Sequence, residues 1–169
     1  MEDLIYNQTK IPAQQWRYGF RTSAATGCGW IATYNALRLM GYHPEPEELI
    51  RYYERQLPLI HGNAGTMIQG PAFFFRHHGF SVETLSVTER FDEAVRNADV
   101  AIVFYYWRKK FKFGAHFVTV QHKDGKFTGY NTFRSSSGPD DYGESLERYL
   151  KRNGFLMPFL IAIKDKRGL

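Results

Sequence analysis

The chain reads as an α+β protein: a helical N-terminal half packed on an antiparallel β-sheet drawn from the C-terminal half. Three observations predict this. Apolar residues recur at roughly helical spacing through the stretches around 28–40, 44–55 and 66–78. From residue 100 onward, runs rich in Val, Ile, Phe and Tyr follow one another instead. Between two of those runs lies Asp124-Gly125, a dipeptide favoured in the tight turns of antiparallel hairpins. Helices first and strands second argue against alternating parallel units.

In chain order, residues 1–22 read as irregular, broken by Pro12 and Gly19. Ile31, Ala32, Tyr34, Leu37 and Met40 make a buried helix from about Cys28 to Met40, stopped by Gly41. Pro44-Glu45-Pro46-Glu47-Glu48 opens a second helix running to Arg55, since proline and carboxylates suit a first turn. Thr66 to His78 is a third, with Pro71 tolerated only early in it. Phe80 to Leu85 alternates like a strand, and Thr88 to Asn97 has helical composition. Strands follow at Val100 to Tyr106, Ala115 to Gln121 and Lys126 to Asn131. A flexible loop around Ser135 to Asp141, a last helix from Gly143 to Lys151 and a strand from Phe155 to Ile163 complete the reading.

The 169 residues suit one domain, 1–169, since domains commonly run to about 100–150 residues. With 43% apolar residues and 17% aromatic, the chain can bury a core, which excludes intrinsic disorder. No run approaches the roughly 20 apolar residues of a membrane span. The opening Met1-Glu2-Asp3-Leu4-Ile5 lacks the apolar run of a secretory signal. One cysteine excludes an internal disulfide and a multi-thiolate metal site, so a reducing, cytoplasmic location is expected.

That cysteine carries the chemistry. Thr26-Gly27-Cys28-Gly29-Trp30 sets the thiol at the start of a predicted helix, where first-turn amides and the dipole favour a thiolate and one amide could receive an oxyanion. Gly29 is expected to keep the approach to the sulfur open. Gly114-Ala115-His116-Phe117-Val118 puts a histidine at the entrance of a strand, with Phe117 and Thr119 on the opposite face from His116 and Val118. One hairpin later, Asn131 ends the partner strand near His116, where its side-chain amide could orient the imidazole.

These motifs resemble a papain-like cysteine peptidase. The closest flavour is the compact bacterial kind that processes double-glycine leaders of bacteriocins, together with its stand-alone relatives. Gln15-Trp16, Tyr18-Gly19, Ala25 to Gly29, Leu39 to Tyr42, Pro46 to Leu49, Arg76 to Val82, Gly114 to Val118, Gly125-Lys126 and Tyr130-Asn131 carry the likeness, which runs from about residue 14 to 132. It implies a papain-like fold with Cys28 as nucleophile, His116 as general base and acid, and Asn131 as orienter. Gly27, Gly29, Trp30 and Ala115 would line the substrate cleft. The oxyanion-hole Gln of such enzymes falls at Thr22 here, so Thr22 or the upstream Gln15 would fill that role. The family's Asp falls at Thr132, and Trp30 stands where relatives often have Pro. The implied activity is hydrolysis of a peptide or related amide through a thioester. Two alternatives use the same framework: a peptide-binding module without catalysis, and acyl transfer to another amine.

Other features stay in the background. His43, His61, His77, His78 and His122 have no metal-binding spacing, so neither metal nor cofactor is expected. Arg108-Lys109-Lys110-Phe111-Lys112, preceded by Tyr105, Tyr106 and Trp107, is read as a charged loop beside the cleft; nucleic-acid binding is the less favoured reading.

Overall fold

A computed structural model describes residues 4–56 and 65–166. His61 and the acidic Met1 to Asp3 lie outside the described residues. The first half supplies a short 3-10 turn (Gln8–Lys10) and a two-residue hairpin, β1 (Arg17–Tyr18) and β2 (Arg21–Thr22). Then come the single-turn α1 (Ser23–Thr26), α2 (Cys28–Leu39), α3 (Pro46–Arg55) and α4 (Gly70–His77). Next are β3 (Ser81–Leu85), a 3-10 turn (Thr88–Arg90) and α5 (Phe91–Arg96). The second half holds β4 (Val100–Lys109), β5 (Lys112–Lys123), β6 (Lys126–Tyr130), β7 (Asp140–Gly143), α6 (Leu146–Arg152) and β8 (Leu156–Lys164).

The architecture is α+β, as the sequence predicts: the six main strands form one antiparallel sheet in the order β3-β8-β4-β5-β6-β7. The last strand is inserted between β3 and β4 rather than added at an edge. Helices cover both faces, because the central strands are apolar on both. Val100, Ile102, Phe104 and Phe117 face α2, α3 and α4; Ala101, Val103, Tyr105, Val118 and Val120 face α5 and α6. Strands buried on both faces need a second layer of cover.

Local chemistry sets the boundaries. Pro46 and Pro71 occupy first-turn positions of α3 and α4, where a missing N–H costs nothing. The Ser145 hydroxyl caps α6, accepting from the Arg148 N–H at 3.2 Å. Gly41 follows α2 in the left-handed region, φ +86°, which glycine adopts without strain.

Three expectations change. Residues 140–143, expected to end the loop and open the last helix, form β7 against β6, and that helix starts at Leu146. The basic run is no loop: Arg108 and Lys109 end β4, Lys110 and Phe111 make a two-residue turn, and Lys112 opens β5. Consequently His116 lies inside β5, opposite Tyr105, and not at the strand's entrance. What ends near His116 is the neighbour, because β6 pairs with β5 only from Thr119 onward and leaves the preceding residues of β5 open on that side.

Candidate active site

Cys28 is the first residue of α2, and Gly27 is its cap. Two contacts fix α2, one to the sheet and one to α3. The Thr119 hydroxyl donates to the Ala32 carbonyl at 2.9 Å, and the Thr33 hydroxyl meets the Tyr53 hydroxyl at 2.5 Å. Backbone amides of Phe117, Gly29 and Cys28 itself are turned toward the sulfur. Phe117 is the residue after His116, on the stretch of β5 that β6 leaves uncovered. The Cys28 sulfur thus sits against the uncovered stretch of β5, at the residue that follows His116 in the strand.

His116 is half-buried, and its Nε2–H donates to the main-chain carbonyl of Asn131 at 2.6 Å. A carbonyl only accepts, so the proton on that bond belongs to the ring, and Nδ1 is the nitrogen with the free lone pair. Asn131 does meet the ring, but through its main-chain carbonyl and not the side-chain amide expected from the sequence. The Asn131 side chain points away from the ring: its Oδ1 accepts from the Gln8 N–H at 2.9 Å, and its Nδ2 donates to Gln8 Oε1 at 3.0 Å. The reason lies in the backbone. Asn131 sits at φ +62° just past β6, a left-handed conformation that asparagine tolerates and that swings its carbonyl toward His116. The Thr132 hydroxyl pairs with the Tyr142 hydroxyl at 2.7 Å.

Electrostatics also differ from expectation. Burial pushes the Cys28 thiol above its usual 9.0, and the three amides only partly offset this. The helix-start thiolate expected from sequence is thus outweighed by desolvation. Burial likewise lowers His116 below its usual 6.5, against the opposing pull of the Asn131 carbonyl. These directions leave Cys28 a thiol and His116 a neutral imidazole at neutral pH. Tyr18, hydrogen-bonded to Thr66 at 3.1 Å, is pushed up to about 12 by burial, with Cys28 among its electrostatic neighbours.

The other expected site residues divide. Ala115 is exposed beside His116. Trp30 is fully enclosed, its Nε1 donating to Ser23 Oγ at 3.1 Å, so it belongs to the core and not to a cleft. Gly27 and Gly29 are buried too. A Cβ on Gly27 would lie 2.6 Å from Trp30 Nε1, and one on Gly29 would lie 2.2 Å from Thr66 Oγ1. Their smallness admits neighbours rather than substrate. Gln15 is exposed in a turn closed by its own N–H to the Pro12 carbonyl at 2.9 Å. Thr22 ends β2 and precedes α1 with no side-chain capping bond.

The glutamine that does enter this region is Gln8, whose Nε2 donates to the Ala24 carbonyl at 3.1 Å. It ties the turn leading to Cys28 to the end of β6. Sequence reading passed over it because residues 1–22 show no periodicity; the Asn7-x-Thr9 pair that caps the 3-10 turn was the one local signal. No group of three or more metal-ligating side chains occurs among the described residues, and no helix among them is long and apolar enough to cross a membrane.

No family model and no curated protein matches the chain. Among solved structures it is similar to the peptidase domain of Streptococcus ComA, a bi-functional ABC transporter involved in a quorum sensing pathway. That likeness covers 80% of this chain and 90% of that one at 12% identity, with a TM-score of 0.52. The fold is that of a papain-like peptidase domain.

Proposed function

We propose that the chain is a thiol-dependent hydrolase, a single cysteine peptidase-like unit spanning 1–169 that cleaves a peptide or related amide. The observation that carries this reading is the His116–Asn131 bond: it puts the ring's proton on Nε2 and leaves Nδ1 as base. The next residue of the same strand turns its amide to the Cys28 sulfur. The papain-like fold, shared with a domain described as a peptidase, supports the class of reaction.

With both groups neutral at rest, Cys28 passes its proton to His116 Nδ1 as the sulfur attacks the carbonyl carbon. The Asn131 carbonyl accepts from the imidazolium that forms. As the sulfur bonds to carbon, the Cys28 and Gly29 amides are released from it, and the Cys28 amide is placed to receive the oxyanion. Thr22 stays a candidate second donor, whereas Gln15, exposed in its turn, has no part in this scheme. His116 then protonates the leaving amine, and water activated by the same ring clears the thioester. A lone unpaired thiol fits a reducing, cytoplasmic setting.

The test is turnover of a peptide library by the native chain, by Cys28→Ala and by His116→Ala. Cleavage lost in both variants, with peptide binding kept, is the expected result. Cleavage by Cys28→Ala at the native rate would overturn the reading. Binding without cleavage by any of the three would favour the peptide-binding module. Thr132 motivates that second reading, since it supplies no carboxylate to the ring.

A further inference from the structure

We propose that the β4–β5 hairpin tip docks on a membrane surface bearing anionic lipid headgroups. Arg108, Lys109, Lys110 and Lys112 bring four cations into five residues, and no Asp or Glu occurs between Val100 and Lys123. None of the four takes part in an ion pair among the described residues.

The tip breaks three local rules at once. Lys109 stands directly opposite Lys112 in the ladder, and like charges facing each other across strands repel. Lys110 holds φ +51° at the first position of a two-residue turn, a place that favours glycine. Phe111 beside it is 105% exposed. Just behind the apex, Phe113 is exposed and stacks on Tyr106, with ring centroids 5.4 Å apart and 15° between planes. On the next strand, Leu156 pairs with Tyr106, and Met157 is 78% exposed. Local violations without an internal compensation mark a functional surface.

Charge selects a partner carrying negative groups. Phe111, fully exposed at the apex between the cations, selects one with hydrocarbon behind those groups. An anionic bilayer presents the two layers in that order: phosphates for the lysines and arginine, the acyl boundary for the apolar side chains. Single-stranded nucleic acid offers charge and ring faces, but no hydrocarbon layer for the apex side chain to enter. From Lys112 to His116 is four residues of strand, about 13 Å, so a docked tip holds the candidate site close to the bilayer.

The experiment is co-sedimentation of the full chain with vesicles of phosphatidylcholine alone or mixed with phosphatidylserine, with a thymidine oligonucleotide as competitor. Binding to the mixed vesicles about tenfold or more above phosphatidylcholine alone, lost at high salt, is expected. The double variant Lys109→Ser/Lys110→Ser lowers binding by about tenfold or more. Phe111→Ser also weakens binding while leaving its dependence on salt intact. Both changes lie outside the cores, and unaltered thermal melting confirms that the variants fold. Equal binding to the two vesicle types, no binding to either, or variants that bind like the native chain would overturn the proposal. So would displacement from vesicles by the oligonucleotide at matched charge. None of these readouts requires catalysis, so a chain without peptidase activity leaves the test intact.

Discussion

Gln8 and Asn131 hold each other by two hydrogen bonds across 123 residues of chain. The Gln8 N–H donates to Asn131 Oδ1 at 2.9 Å, and Asn131 Nδ2 donates to Gln8 Oε1 at 3.0 Å. Asn131 is only 2% exposed, so its amide has no water to fall back on. The same Asn131 presents its main-chain carbonyl to His116. An N-terminal strap thereby sets the direction of the carbonyl that holds the His116 ring. It is fastened a second time by Asn35, whose amide bonds both the N–H and the carbonyl of Ile5 at 2.9 Å.

Gln8→Ala should therefore act at a distance. It removes the partner of Asn131 Nδ2, and leaving a buried donor unpaired costs about 1–3 kcal/mol. We expect that loss in urea unfolding, together with a lower kcat on any peptide substrate. Gln8→Glu, which keeps the accepting oxygen, should recover part of both. Unchanged stability in Gln8→Ala would show that the strap does not brace the site.

The resting protonation of Cys28 can be measured directly. Because burial outweighs the amide hydrogen bonds, its thiolate forms above the usual 9.0. Iodoacetamide should alkylate the native chain with a midpoint at higher pH than the urea-unfolded chain. A native midpoint below the unfolded one would contradict a neutral resting thiol.

Stability against pH should show two flanks. His116 has a folded-state value below 6.5, so the stability tied to its neutral form is present above 6.5. It is lost as pH falls from there through the folded value, where the unfolded chain binds the proton more readily. Cys28 has a folded-state value above 9.0, so its contribution is present below 9.0 and is lost as pH rises through the folded value. Urea midpoints across pH should fall on both sides. His116→Gln should flatten the acid flank and Cys28→Ser the alkaline one. A variant that leaves its own flank unchanged would assign that flank to other groups.

Gly29 makes a packing prediction. A Cβ there would lie 2.2 Å from Thr66 Oγ1 and 2.4 Å from Thr66 Cβ, so Gly29→Ala should destabilise by about 1–3 kcal/mol. Adding Thr66→Gly should return part of that loss, a coupling readable in a double-mutant cycle. Independent effects of the two changes would mean that the helix shifts to accommodate the methyl.

Local pattern determined a good deal of this protein. The apolar spacing around residues 28–40 and the glycine after it specify a buried helix beginning at Cys28, and Asp124-Gly125 specifies the β5–β6 hairpin, because both depend on neighbours a few residues away. That Asn131 lies beside His116 was legible from the hairpin spacing, whereas grouping Cys28 with them rested on the order of the motifs along the chain and on the resemblance. What the local pattern could not carry was atomic direction. Which atoms of Asn131 face His116 depends on a left-handed backbone and on a strap from residue 8, and the enclosure of Trp30 depends on Ser23 and Gly27 folding over it. Desolvation of Cys28 likewise comes from groups brought together only when α2 meets β5. Contacts between residues a hundred positions apart are set by the packing of whole elements, and that packing decided the chemistry of the site.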